Sequence, residues 1–118
     1  MLKKIPNNPI PEELINALIT LNDKGEFKKI LLRFPHLSKL YPNNSKLFNI
    51  MGVIFADNNC KLKAIECFRK AIKFDLNNPH PYNNLGISLI DINEFVKAKK
   101  YLIRLLHFFQ NLWKYILT

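Results

Sequence analysis

Residues 48–71 read FNIMGVIFADNNCKLKAIECFRKA, and the rest of the chain is built around this stretch. Phe48, Met51, Gly52 and Phe55 share one helical face, because side chains three, four and seven apart stand above one another. Asp57-Asn58-Asn59 is a turn-forming cluster, after which Ala64, Ile65, Phe68, Ala71 and Ile72 share the face of a second helix. Two short amphipathic helices and a tight turn make a helical hairpin. Glycine weakens a helix interior by about 1 kcal/mol relative to alanine, so Gly52 among large apolar neighbours marks a close approach, expected to be that of another backbone. Ala64 and Ala71 read the same way on the second helix.

The pattern returns at a constant interval. Phe48, Met51, Gly52 and Phe55 reappear as Tyr82, Leu85, Gly86 and Leu89, and Ala64 and Phe68 reappear as Ala98 and Leu102, all at the same offset. A fainter copy precedes them: Leu14, Ala17, Leu18 and Leu21 lie on one helical face, Gly25-Glu26-Phe27 supplies the turn, and Pro42 closes the unit. Leu18 stands in place of the glycine and Ile30 in place of the first alanine. Pro35 interrupts the second helix of this copy, which is expected to kink there or restart at His36.

The offset is the period of the tetratricopeptide repeat, and the pattern aromatic-x-x-L-G-x-x-Y followed by A-x-x-x-F resembles that family. Gly52, Ala64, Phe68 and Ala71 match it outright, while Phe48 stands where the family prefers Trp, Met51 where it prefers Leu, and Leu76 where it usually has Pro. The resemblance covers nearly the whole chain. It implies an all-α fold, a right-handed α-solenoid of three helix-turn-helix hairpins with a long C-terminal helix. The parts are a leader at 1–10, repeats at 11–44, 45–78 and 79–112, and a tail at 113–118.

Composition agrees with one domain: 118 residues, 48% hydrophobic, can bury a core, and three repeats are about the minimum for a stable stack. Met1-Leu2-Lys3-Lys4 is followed by Pro6, Asn7, Asn8, Pro9 and Pro11 where a signal peptide needs an apolar run, so the expected location is cytoplasmic. Pro11-Glu12-Glu13 suits a helix start, and Ser45 is a candidate N-cap for the next repeat. Paired asparagines fall mostly at turns, where they accept left-handed backbone.

No catalytic motif is present: there is no phosphate loop, no G-x-S-x-G and no H-E-x-x-H, and His36, His80 and His107 are far apart in sequence. Cys60 and Cys67 lack zinc-ligand spacing, Cys67 reading as a small apolar residue and Cys60 as a turn residue. Asp57 and Asp91 correspond across repeats and read as solvated or turn-bonding carboxylates. The expectation is a non-enzyme without metal or cofactor.

In tetratricopeptide arrays the first helix of each hairpin lines a concave surface that holds peptides. The resemblance therefore points to Lys46, Asn49, Val53 and Ala56, then His80, Asn83, Asn84, Ile87 and Ile90, as groove residues. Asn84 matches an asparagine that contacts a peptide backbone in the repeats of O-linked glycosyltransferases, although Ile50 holds that place one repeat earlier. The carboxylate clamp of chaperone-binding members needs polar side chains where Ile15 and Ile19 stand, so the resemblance implies a different ligand. The Pro-Glu-Glu-Leu opening and Tyr82-Asn83-Asn84-Leu85-Gly86 are also similar to the amino-terminal repeats of bacterial sulfotransferase- or glycosyltransferase-type proteins, and an accessory or shortened segment of such a protein is the second reading.

From Tyr101 the chain runs YLIRLLHFFQNLWKYILT without Gly or Pro, which predicts one helix from about Glu94 to Tyr115 or beyond. Arg104, His107, Asn111, Lys114 and Thr118 form a narrow polar stripe on an otherwise apolar helix. Phe108, Phe109, Leu112, Trp113 and Ile116 are thus candidates for a self-association or partner face, with a membrane surface the less favoured occupant. The net charge of +9 comes largely from lysines on second helices. A solvated outer face is the first reading of that charge, and nucleic-acid adaptor the third reading of function.

Overall fold

The computed structural model describes residues 9–117, without the side chains of Trp113, Tyr115 and Leu117. The expected leader therefore lies largely, and the tail partly, outside the described residues. Six helices follow one another: α1 (Glu12–Asp23), α2 (Phe27–Leu40), α3 (Ser45–Asp57), α4 (Lys61–Phe74), α5 (His80–Asp91) and α6 (Phe95–Leu117). Among the described residues there is no strand.

Left-handed backbone turns each hairpin. Gly25, Asn59 and Asn93 have φ of 75°, 62° and 64°. They stand one repeat period apart, one in each hairpin turn. Glycine carries no Cβ penalty there, and asparagine is the side chain that tolerates it best. Asn43, with φ 58°, makes the turn between the first and second hairpins. The corresponding connector before α5 is held instead by Asp75, whose carboxylate accepts from the Asn77 N–H at 2.9 Å.

The central hairpin is the tightest part of the stack. A Cβ on Gly52 would lie 2.4 Å from the Phe68 ring, so the glycine makes room for a side chain and not, as the sequence suggested, for a backbone. Gly86 does the same for Leu102, at 2.6 Å. Leu47, Met51, Ile54, Ala64, Phe68 and Ala71 are almost wholly buried around this contact. α5 then packs on α4, and α6 on α5.

The first hairpin is built differently. Leu18 and Ile30, both buried, replace the small residues and keep α1 and α2 from so close a backbone approach. Aromatic side chains of α2 reach the next hairpin instead: Phe27 meets Phe55 of α3 edge-on at 5.9 Å, and Phe34 meets Phe48 at 5.7 Å. α2 does not restart at His36; it runs through Pro35, which is exposed. Proline removes one helix donor, but Ile30, Phe34 and Leu37 on either side anchor the same face to the core. Ile10, assigned to the leader, is itself buried in that core.

Two capping expectations change as well. Asn44, not Ser45, caps α3, its side chain accepting from the Leu47 N–H at 2.9 Å. The Ser45 hydroxyl instead donates to the Ala71 carbonyl at 2.6 Å and accepts from the Asn78 amide at 3.0 Å, tying the start of α3 to the end of α4 and the next connector.

Candidate binding groove

The first helices α1, α3 and α5 lie side by side, and the repeat period sets their side chains in ranks. The first rank is Glu12, Lys46 and His80; the second is Ile15, Asn49 and Asn83; the third is Ile19, Val53 and Ile87; the fourth is Asn22, Ala56 and Ile90. One rim of this face is therefore charged and polar, and its middle is apolar.

Polar groups couple neighbouring first helices. Lys46 forms an ion pair with Glu12. The Asn84 amide donates to the Asn49 carbonyl oxygen at 2.9 Å. At the far end of the helices, the Asn22 amide donates to the Asp57 carboxylate at 2.8 Å, and the Asn58 amide donates to the Asn22 carbonyl oxygen at 3.0 Å. Asp57 thus bonds across repeats instead of closing its own turn. Such contacts fix the angle between successive first helices and leave fewer free donors on the face.

An open cleft of about 980 Å³ lies at the N-terminal ends of α1, α3 and α5. Lys46, Asn49 and His80 line it, together with Asn44, Ser45 and Asn78 from the connectors. Val53, Asn83, Asn84 and Ile87 lie outside this cleft. Asn83, Ile87 and Ile90 form an exposed stripe on α5 at spacings of four and three, while Val53 and Ala56 are half-buried against the core. The face therefore has two parts, a polar cleft and an apolar stripe. Sequence reasoning missed Glu12, Asn22 and the connector asparagines; the shared rank of Glu12 and Lys46 was the signal that could have found the first.

The proposed α6 face divides too. Phe108 is half-buried, its ring 5.2 Å from that of Tyr82, so it belongs to the α5–α6 contact and not to an open surface. Phe109, Leu112 and Ile116 are exposed. Trp113 lies outside the residues whose side chains are described.

Elsewhere the chemistry is quiet. Among the described residues no three His, Cys, Asp or Glu side chains come together as metal ligands. Cys60 is half-buried and Cys67 buried, both unpaired. Burial, reinforced by the neighbouring Glu66 carboxylate, pushes the Cys67 thiol from 9.0 up to about 11, against the pull of Lys70 and Lys63. Lys28, Lys61, Lys73, Lys97 and Lys99 are exposed on the second helices. No described helix is long and apolar enough to cross a membrane.

No protein-family model and no curated protein matches the sequence. Solved structures do match. They include MamA from Desulfovibrio magneticus RS-1, from position 41 to its end, and a MamA RS-1 ArsTM double mutant. Each has a TM-score of 0.74 and 14% identity over 81% of this chain. The chain spans about half their length, 54% of each. MamA is a tetratricopeptide-repeat protein, and the likeness shows that this chain has the tetratricopeptide-type helical solenoid fold.

Proposed function

We propose that the chain is a non-catalytic protein-interaction module that holds a peptide segment along the face formed by α1, α3 and α5. The observation that carries this reading is the exposed stripe Asn83, Ile87 and Ile90, which stands beside a polar cleft lined by Lys46, Asn49 and His80. An apolar stripe gives affinity through desolvation, and flanking amide and charged groups fix the direction and register of a peptide backbone. Val53 and the coupled Asn49–Asn84 pair form the floor between them. Two unpaired thiols accord with a reducing compartment, and the reading places the module in the cytoplasm.

Peptides selected from a displayed random library on the immobilised full chain test the proposal. Ile87→Asp should weaken the selected peptides by at least about tenfold, since burying an isoleucine side chain contributes roughly 1.5–3 kcal/mol. Asn83→Ala should weaken them less. Selected peptides that bind the Ile87→Asp chain undiminished, or whose amide shift changes map to α2 and α4, would show that this face is not the site.

A further inference from the structure

The charge of the chain is divided between its two layers of helices. The second helices α2, α4 and α6 hold 14 of the 18 Lys and Arg residues and a single carboxylate, Glu66, of the nine in the sequence. Glu66 is itself paired with Lys70 at 3.4 Å. The other Asp and Glu residues stand on the first helices, the turns and the connectors. The second helices also carry the three most exposed large apolar side chains among those described: Leu32 of α2, Leu62 of α4 and Val96 of α6, which are 81%, 75% and 87% exposed. Leu62 and Val96 correspond across repeats, each two residues before a buried alanine, Ala64 or Ala98, and so on the opposite side of its helix. Leu32 lies one turn beyond Lys28, which holds that place in α2.

Exposed lysines surround each of these side chains. Lys28 and Lys29 lie one turn before Leu32, Lys61 and Lys63 flank Leu62, and Lys97 and Lys100 follow Val96. A single exposed leucine is ordinary. One such side chain on each of three successive helices, set among cations and facing away from the core, unites the two features that hold a protein at an anionic lipid surface: apolar area for the interface and positive charge for the headgroups. A nucleic acid is matched less well, because base stacking needs aromatic platforms beside the cations, and the side chains that reach furthest into water here are aliphatic. An acidic protein satisfies the lysines but has to offer three separate apolar sockets on one rigid surface. A bilayer accepts apolar side chains wherever they fall.

We propose that the outer face of α2, α4 and α6 docks on an anionic lipid bilayer, with Leu32, Leu62 and Val96 entering the headgroup region and the surrounding lysines held at lipid phosphates. The α1–α3–α5 face belongs to the other layer of helices, so bilayer and peptide can be held together.

The test is co-sedimentation of the full chain with phosphatidylcholine vesicles, with and without phosphatidylglycerol, at equal total lipid. The chain should bind the anionic vesicles at least tenfold more tightly than the neutral ones, and raising the salt from roughly 0.1 to 0.5 M should weaken that binding at least tenfold. Leu32→Ser, Leu62→Ser and Val96→Ser together leave the charge unchanged and should weaken binding at least tenfold. Lys28→Glu, Lys73→Glu and Lys97→Glu together should abolish it. All six positions are exposed, and circular dichroism of each variant checks that the fold is kept. Equal retention on the two kinds of vesicle, no retention on either, or binding that survives the serine variant would overturn the proposal. If Phe109→Ser with Leu112→Ser then removes the surviving binding, the end of α6 is the part that meets lipid. Binding of a labelled oligonucleotide in place of vesicles would overturn the proposal by assigning the lysines to a nucleic acid. So would light scattering that shows oligomers dissolved by the lysine variant, which assigns the face to a second copy.

Discussion

The second and third hairpins carry nearly the same text, yet one is buried on both sides and the other on one. In α3–α4, Phe68 sits on Gly52 and is 1% exposed. In α5–α6, Leu102 sits on Gly86 in the same way but is only half-buried. The difference lies outside the hairpins. Phe27 and Phe34 press on the second hairpin from one side and α5 packs on it from the other. The third receives α5 against α4 and presents α6 to the open side. A repeat's own sequence thus builds the hairpin, and its neighbours decide how much of that hairpin leaves water, as expected for a one-dimensional stack.

Replacing the two glycines strains this contrast most. Gly52→Leu should cost several kcal/mol and leave the chain largely unfolded, because the Phe68 ring has no route out of the core. Gly86→Leu should cost only about 1–3 kcal/mol, since the half-buried Leu102 can swing toward solvent. Urea melts followed by circular dichroism measure both. Equal losses would mean that the third hairpin is as tightly enclosed as the second.

A smaller effect appears at high pH. The Cys67 thiol is held protonated in the folded chain to about 11, above its ordinary 9.0. The folded state therefore binds more protons between those values, and stability present below pH 9 is lost as pH rises through 11, by at most roughly 2–3 kcal/mol. Cys67→Ala should flatten that part of the profile in a comparison of melts at pH 8 and 10.5. The third hairpin has Tyr101 at the corresponding position, so this pH response belongs to the second hairpin.

The smallest expected effect lies in the turns. Asn59→Ala places alanine at φ 62° and should cost about 1–2 kcal/mol, whereas Asn59→Gly should cost nothing or stabilise. Asn93→Ala meets the same strain at φ 64°, but the same free energy should appear mainly as local opening of α6, seen by amide exchange and not by the global melt. A pair of identical global losses would show that the third hairpin unfolds only with the whole.

Most of the fold was legible in the sequence because it depends on periodicity. Gly52, Ala64 and Phe68, repeated at a fixed interval, set helix, turn and packing at once. Three details were not legible. The Gly52 vacancy holds the Phe68 ring, contributed by the next helix, and a spacing pattern does not say which group fills a gap. Ser45 and Asn44 are both good caps by type, and the choice depends on Ser45 reaching the Ala71 carbonyl at the far end of α4. Pro35 lies on the solvent side of a helix whose inner face is anchored, and sequence shows the break but not the anchor. The candidate site was legible as a set of ranks but not as contacts. The repeat pattern offers Lys46 and Asn84 as groove side chains, and each already has a partner on a neighbouring helix. The polar stripe of α6 places Phe108 with Phe109 and Leu112 on a candidate partner face, although its ring rests on Tyr82.

Amide hydrogen exchange, read residue by residue on the dilute chain, tests the contrast between the hairpins most directly. The account predicts that amides of residues 51–56 and 64–71 exchange only through global unfolding. Amides of residues 106–116 should open at a free energy at least about 2 kcal/mol lower, through local unfolding of the uncovered end of α6. Protection of residues 106–116 equal to that of α3 and α4 would contradict it, because the open face of α6 would then be covered in the free chain.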